Sequence, residues 1–126
     1  MPTRDAGGMA AKDALGRKGE AIAARHLVRS GLTIVERNWR CPQGEIDLVA
    51  RDGDEVVFVE VKTRSSVAFG HPLEAITPVK LARLRRLAGA WCAAHPGEAA
   101  RIRIDAVGVI APREGEIVVE HLARVF

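Results

Sequence analysis

Apolar residues recur along the chain with two periods, and the switches between them divide it into elements. From about Lys12 to Ser30, the positions Leu15, Gly16, Gly19, Ile22, Ala23, His26 and Leu27 return at helical spacing. Gly31 stands where a helix would end on a left-handed residue. Leu32 to Asn38 reads as a strand, followed by a turn at Cys41-Pro42-Gln43-Gly44. Two Val- and Ile-rich runs, Glu45 to Arg51 and Glu55 to Thr63, read as strands joined at Asp52-Gly53-Asp54, a hairpin signal. Thr77-Pro78 supplies an N-cap and an N1 proline for a second helix reaching about His95, with Leu81, Leu84, Leu87, Ala88 and Trp91 along one face. Pro96-Gly97 stops it, and Arg101 to Ile110 and Glu116 to Leu122 finish the chain as two more strands.

The order helix, three strands, helix, two strands predicts an α/β layer architecture. The first three strands are expected as an antiparallel meander, and the strand after helix two is a candidate to join parallel through a crossover. Residues 1–11, small and polar with Gly7-Gly8, read as a flexible N-terminal tail. Residues 12–126 then form a single domain, and a chain of 126 residues can bury one core without disulfide or metal staples.

Composition narrows the class. Apolar residues at 48% and charged residues at 28% exclude a disordered chain, and no apolar run approaches the ~18 residues of a membrane span. Met1 to Ala10 contains no apolar stretch that could act as a secretory leader, so a cytoplasmic location and no membrane partner are expected. Cys41 and Cys92, far apart and without CxxC spacing, are expected as free thiols. A net charge of +3 says little, but its distribution says more. Residues 79–103 hold six Lys or Arg against one Glu, whereas residues 36–64 hold five Lys or Arg against seven Asp or Glu. An acidic group beside a basic stretch suits a metal site next to a phosphate-binding surface, and a solvated helix face explains the basic stretch equally well.

Strand parity brings the chemistry-bearing residues together. Alternation places Glu45 and Asp47 on one face of their strand, with Ile46, Leu48 and Ala50 on the other. On the next strand Val56, Phe58, Glu60 and Lys62 are cofacial, opposite Val57, Val59 and Val61. A Gly53-Asp54 turn would set Asp47 opposite Glu60, whereas an Asp52-Gly53 turn would set it diagonal to Glu60; both keep the carboxylates convergent. Neighbouring carboxylates out of water need a compensating cation, which Lys62 or a divalent metal can supply. Mg²⁺, with Mn²⁺ as a substitute, suits such a site because it takes oxygen ligands and keeps waters. An ion-paired hairpin surface is the competing reading of the same residues.

The strings Gly44-Glu45-Ile46-Asp47-Leu48-Val49-Ala50 and Phe58-Val59-Glu60-Val61-Lys62-Thr63-Arg64 together resemble the signature of the PD-(D/E)xK nuclease superfamily. More closely they resemble the small YraN-type family of bacterial proteins related to archaeal Holliday junction resolvases. Gly19-Glu20, Asn38-Trp39-Arg40, Phe69-Gly70, Lys80 and Arg103-Ile104-Asp105 extend the likeness over roughly residues 14–122. The resemblance implies a restriction-endonuclease-like three-layer core with a mixed central sheet. It also implies that Asp47 and Glu60 bind metal with the Val61 carbonyl as a third ligand, that Lys62 is catalytic, and that Glu20 assists from helix one. Ile46 stands where the superfamily's variable proline would precede Asp47.

Nucleic acid, DNA above all, is the expected partner. Arg40 and Arg64, near the ends of the site strands, and Lys80, at the border of the apolar arc of helix two, are the candidate contacts. Trp39 is a candidate for stacking on a base or for the core, Trp91 and His26 are expected in the core, and His71 has no assigned role. The leading expectation is a metal-dependent endonuclease acting on DNA, with branched or structured DNA as a candidate substrate. The alternative is a nucleic-acid-binding or partner-binding module without turnover. Cutting both strands of a junction would call for a homodimer.

Overall fold

A computed structural model describes the backbone of residues 3–68 and 70–126 and, within these, the side chains from Ala11 onward. Phe69, one of the residues carrying the resemblance, lies outside the described residues, as do Met1 and Pro2. Five strands form one sheet in the order β1 (Thr33–Cys41), β2 (Gly44–Asp52), β3 (Glu55–Arg64), β4 (Arg101–Ile110), β5 (Val118–Leu122). Helix α1 (Thr3–Arg29) precedes the sheet, and helix α2 (Pro78–Ala94) lies between β3 and β4. The first three strands are an antiparallel meander, β4 joins β3 in parallel, and β5 returns antiparallel to β4. The sheet is therefore mixed, as expected.

Two apolar layers sandwich this sheet. Ile22, Ala23 and Leu27 of α1 pack with Leu48, Val57, Val59, Val107 and Val109 on one face. Leu84, Leu87, Ala88 and Trp91 of α2 pack with Ile46, Val49, Val56, Phe58 and Ile104 on the other. The α/β layer architecture expected from the element order, and the three-layer core that the resemblance implies, are thus present.

Local signals explain most boundaries. Helix α1 ends in a Schellman arrangement: Gly31 has φ +100°, its N–H donates to Val28 O, and the Leu32 N–H donates to Leu27 O. Leu27 and Leu32 are both buried in the same layer, which supplies the apolar contact that accompanies this cap. Thr77 caps α2 by accepting from the Lys80 N–H, with Pro78 at the first helical position. The helical backbone of α1 begins at Thr3, where the pattern placed the start near Lys12 and read a loose tail before it. Ala and Met are strong helix formers, and the run from Met9 to Leu15 holds no stop signal, so only Gly7-Gly8 argued for an end there. Strand β1 runs past Asn38 to Cys41, because Trp39, Arg40 and Cys41 pair with Ile46, Glu45 and Gly44 around a two-residue Pro42-Gln43 turn. The loop holding His71 contains a short 3-10 helix, Pro72–Ala75, which His71 caps. His26 is half-buried, with its ring centroid 6.1 Å from that of His121 in an edge-on arrangement, rather than enclosed in the core.

One polar network is built into the α1 face of the sheet. Asp105 is fully buried and accepts from Arg103 Nε and Nη2, from the Arg124 N–H, and pairs with His121 Nε2 at 2.7 Å. Arg124 in turn grips Glu55 with both terminal nitrogens. This ties the C-terminal segment to the start of β3 and explains Arg103 and Asp105 as structural residues. Replacing Asp105 with Ala removes the acceptors of Arg103 Nε and Nη2 and leaves that buried guanidinium only Asp52 and Glu55, and the expected loss of stability is about 1–3 kcal/mol in urea denaturation. A loss below about 1 kcal/mol would show that the network does not bear on stability.

Candidate active site

The chemistry-bearing residues meet where β2 and β3 part company. Asp52 pairs with Glu55 around Gly53-Asp54, and the bridged pairs run from there to Leu48 opposite Val59. One step further, the same register brings Asp47 level with Glu60, the first of the two alternatives that the sequence left open. Instead of continuing the ladder, the Val61 N–H donates to Asp47 Oδ2 at 2.8 Å.

Parity holds on β3 and fails on β2. Val57, Val59 and Val61 face α1, whereas Val56 and Phe58 face α2, as alternation predicts. On β2, however, Leu48 packs under α1 and Ile46 under α2, although they are two residues apart. The expectation that Ile46 shares a face with Leu48 is corrected. The cause lies across the ladder at Asn38, whose φ of +52° is left-handed backbone that Asn tolerates better than other side chains. Beyond it the Trp39–Ile46 pair turns onto the α2 face, and Asp47 is left in the gap between strands.

Glu20 arrives from α1. Its neighbour Gly19 lies so close to β3 that an added Cβ would stand 1.8 Å from Thr63 Oγ1, so only glycine lets the helix approach there. Glu20 is half-buried, with the Asn38 side chain near enough to favour its charged form, and within the field of Glu45. Asn38 thus stands both where the strand parity switches and beside the third carboxylate.

Three carboxylates are crowded without adequate compensation. Burial raises Asp47 from its ordinary 3.8 to about 7, and Glu60, Glu20 and Glu45 push in the same direction against the single Val61 hydrogen bond. Burial also raises Glu60, opposed by Arg83, Lys62 and Lys80. Burial raises Glu20 as well. A cleft of about 190 Å³ opens beside Glu60, lined by Glu45, Lys62, Lys80 and Arg83.

The other expected contacts fall in different places. Lys80 and Arg83, three residues apart on one face of α2, reach this cleft, and Arg83 is the largest favourable charge on Glu60. Arg40 is exposed and paired with Glu45 at 2.6 Å, so Glu45 is engaged there. Arg64 is half-buried on the other side of Lys62. Trp39 packs against the α2 layer, which favours its core reading, and Trp91 is fully buried, donating to Glu36 Oε1 at 3.1 Å. Cys41 and Cys92 are both free. The sequence gives Asn38 no role at the site, and it offers Arg83 and Arg86 equally as phosphate-backbone contacts or as a solubilising surface. Asn in the middle of a strand, where it is a poor former, and the i, i+3 spacing of Arg83 from Lys80 were the available signals.

The donor set fits an oxygen-preferring divalent ion, since every anionic group in the cluster is a carboxylate. Among the described residues no group of three or more His, Cys, Asp or Glu side chains is placed to hold a metal ion together. An open set of one or two carboxylates is what Mg²⁺ takes, its remaining positions going to water and phosphate.

An α/β domain that gathers carboxylates and a lysine where two central strands separate defines the class. The chain belongs to the family described as Uncharacterised protein family UPF0102, whose model matches residues 19–109 and so contains Glu20, Asp47, Glu60 and Lys62. This is the YraN-type family that the motifs resemble. The chain is 62% identical over 117 residues to a UPF0102 protein of Beutenbergia cavernae, covering 93% of this chain and 99% of that one. It is 58% identical over 116 residues to one of Kineococcus radiotolerans, covering 91% and 95%. A UPF0102 protein of Frankia alni is 53% identical over 118 residues, covering 94% and 98%. Among the described residues no helix is long and apolar enough to cross a membrane.

The raised Asp47 has a stability signature. Between pH of about 4 and about 7 the folded state keeps a proton that the unfolded chain has lost, so this group makes the protein less stable as pH rises through that window. In EDTA, Asp47→Asn should therefore melt several degrees above wild type at pH 8, and the gain should vanish as pH falls towards 4. A gain independent of pH in thermal melts would show that Asp47 is not titrating as described.

Proposed function

We propose that this protein is a metal-dependent endonuclease that hydrolyses phosphodiester bonds in DNA. The observation that carries the reading is the crowding of Glu20, Asp47 and Glu60, all raised by burial, beside Lys62. Carboxylates held in this way are stabilised by a cation that the protein itself does not supply in full.

Asp47 and Glu60, with the Val61 carbonyl, would hold Mg²⁺ or Mn²⁺. The bound ion supplies Lewis acidity to the phosphoryl oxygen and makes a bound water more acidic. The Val61 N–H fixes one Asp47 oxygen, so the other is directed by the same contact. The Lys62 ammonium orients the attacking water and steadies negative charge on the phosphate. Glu20, beside Asn38, accepts a proton from water on the α1 side. Lys80 and Arg83 bind the phosphate backbone at the mouth of the smaller cleft, with Arg40 and Arg64 extending the basic surface. Branched or structured DNA is the favoured substrate, and cutting both of its strands requires two copies related by a two-fold axis. The reading places the protein in the cytoplasm.

The alternative, a nucleic-acid-binding module without turnover, draws on Lys80 and Arg83 alone. A cleavage screen over junction, flap, duplex and single-stranded DNA with Mg²⁺ or Mn²⁺ separates the two. Wild type should cut at least one substrate, and Lys62→Ala should lose about 10²-fold or more of the rate while still binding DNA. If wild type binds but cuts none of them with either ion, the nuclease reading is wrong.

A further inference from the structure

A second cleft opens on the other side of Lys62, between α1 and the segment that follows β3. It is larger, about 550 Å³, and Glu20, Val61 and Lys62 line it as well. Its remaining lining differs in character from the acidic cluster. Leu15 and Gly16 provide apolar surface, while Lys12, Arg64, Ser65 and Ser66 provide cationic and hydroxyl donors. Apolar walls with a few convergent polar groups, at this size, are the ordinary make-up of a small-molecule seat.

Two features of this cleft have no explanation in the packing of the fold. Arg64 Nε is buried and has no hydrogen-bond partner among the described residues. The Arg64 guanidinium keeps its charge, lines the cleft and makes no ion pair or hydrogen bond among the described residues, so an anion in the cleft would meet an uncompensated cation. The planar fork of Arg matches the oxygens of a phosphate. The second feature is Gly16, in the interior of α1, where glycine is a poor helix former. An added Cβ at Gly16 would meet nothing within 4 Å, in contrast to Gly19, which abuts Thr63. Packing therefore requires glycine at position 19 and not at 16. What the bare backbone at Gly16 does is leave the cleft open.

We propose that this cleft seats one nucleotide of the substrate strand, adjacent to the phosphodiester held at the acidic cluster. Its phosphate lies on Arg64, Lys12 and the hydroxyls of Ser65 and Ser66, and its sugar and base lie against Leu15 and Gly16. Ser66 Oγ accepts from the Ala68 N–H at 3.3 Å, which leaves its hydroxyl proton for the phosphate. Glu20, the carboxylate in the lining, marks the border with the acidic cluster. The strand thus passes over Lys62 from one cleft to the other. This assignment rests on the reading of the protein as a nuclease.

The test is fluorescence anisotropy of a short labelled oligothymidylate in EDTA, so that no cleavage intervenes. Gly16→Leu fills the cleft while improving the helix, so its melting temperature should hold or rise. It should nevertheless bind about tenfold or more weakly. Arg64→Ala should lose affinity comparably and lower the salt dependence by about one phosphate contact. Arg29→Ala, which removes one positive charge from the far end of α1, should stay within about twofold of wild type. If wild type binds and Gly16→Leu binds equally well, the cleft does not seat the strand and the proposal is overturned. If wild type does not bind at all, the proposal fails together with the nucleic-acid reading. If both variants lose binding but wild type cuts no DNA, the nucleotide seat stands and the hydrolytic reading alone falls.

Discussion

Carboxylates withdrawn from water repel one another, and the repulsion among Asp47, Glu60 and Glu20 is what the surrounding architecture holds in place. Left alone, two strands and a helix would relax until each group reached solvent. Here β3 is fixed along its whole length by the parallel β4 ladder, the Val61 N–H pins Asp47, and the close Gly19–Thr63 approach keeps Glu20 against the sheet. The apolar layers under α1 and α2 supply the stability that this strain draws down. Lys62, Lys80 and Arg83 relieve part of the repulsion at Glu60, while Asp47 keeps a value of about 7. Destabilisation retained inside a well-packed domain supports the proposed reading, in which the site takes a charge of the opposite sign.

Asp105 makes the contrast clear. It is more deeply buried than Asp47, yet Arg103, His121 and the Arg124 N–H surround it with partners. The same side chain is thus used in two ways in one sheet. Where its hydrogen bonds and charge are satisfied it fastens the C-terminal segment; where they are not, it is available to a ligand. Asp105 lies on the α1 face of β4, on the far side of β3 from β2, so the two uses do not interfere.

Much of this was legible in the sequence, for reasons that differ by element. Helix α2 announced itself through Thr77-Pro78 and its apolar stripe, because capping chemistry is local. Strand β3 was legible because it is central and continuous, so alternation from Val56 to Lys62 survives intact. The same rule misplaced Ile46, because its face depends on the left-handed Asn38 on the neighbouring strand, a conformation that no period reveals. The start of α1 was misjudged because Gly7-Gly8 weakens a helix without forbidding it. That Arg83 rather than Arg86 reaches the site depends on how α2 packs over Glu60, a tertiary fact. Arg40 looked well placed by sequence and is held by Glu45 instead.

If the carboxylate cluster exists to receive a divalent cation, binding must expel the proton that burial keeps on Asp47. Isothermal titration of Mn²⁺ at neutral pH, in two buffers of different ionisation enthalpy, measures that proton directly. The account predicts saturable binding with net proton release in wild type, with the release abolished in Asp47→Asn. Absence of binding, or binding that releases no proton and is indifferent to Asp47→Asn, would contradict it.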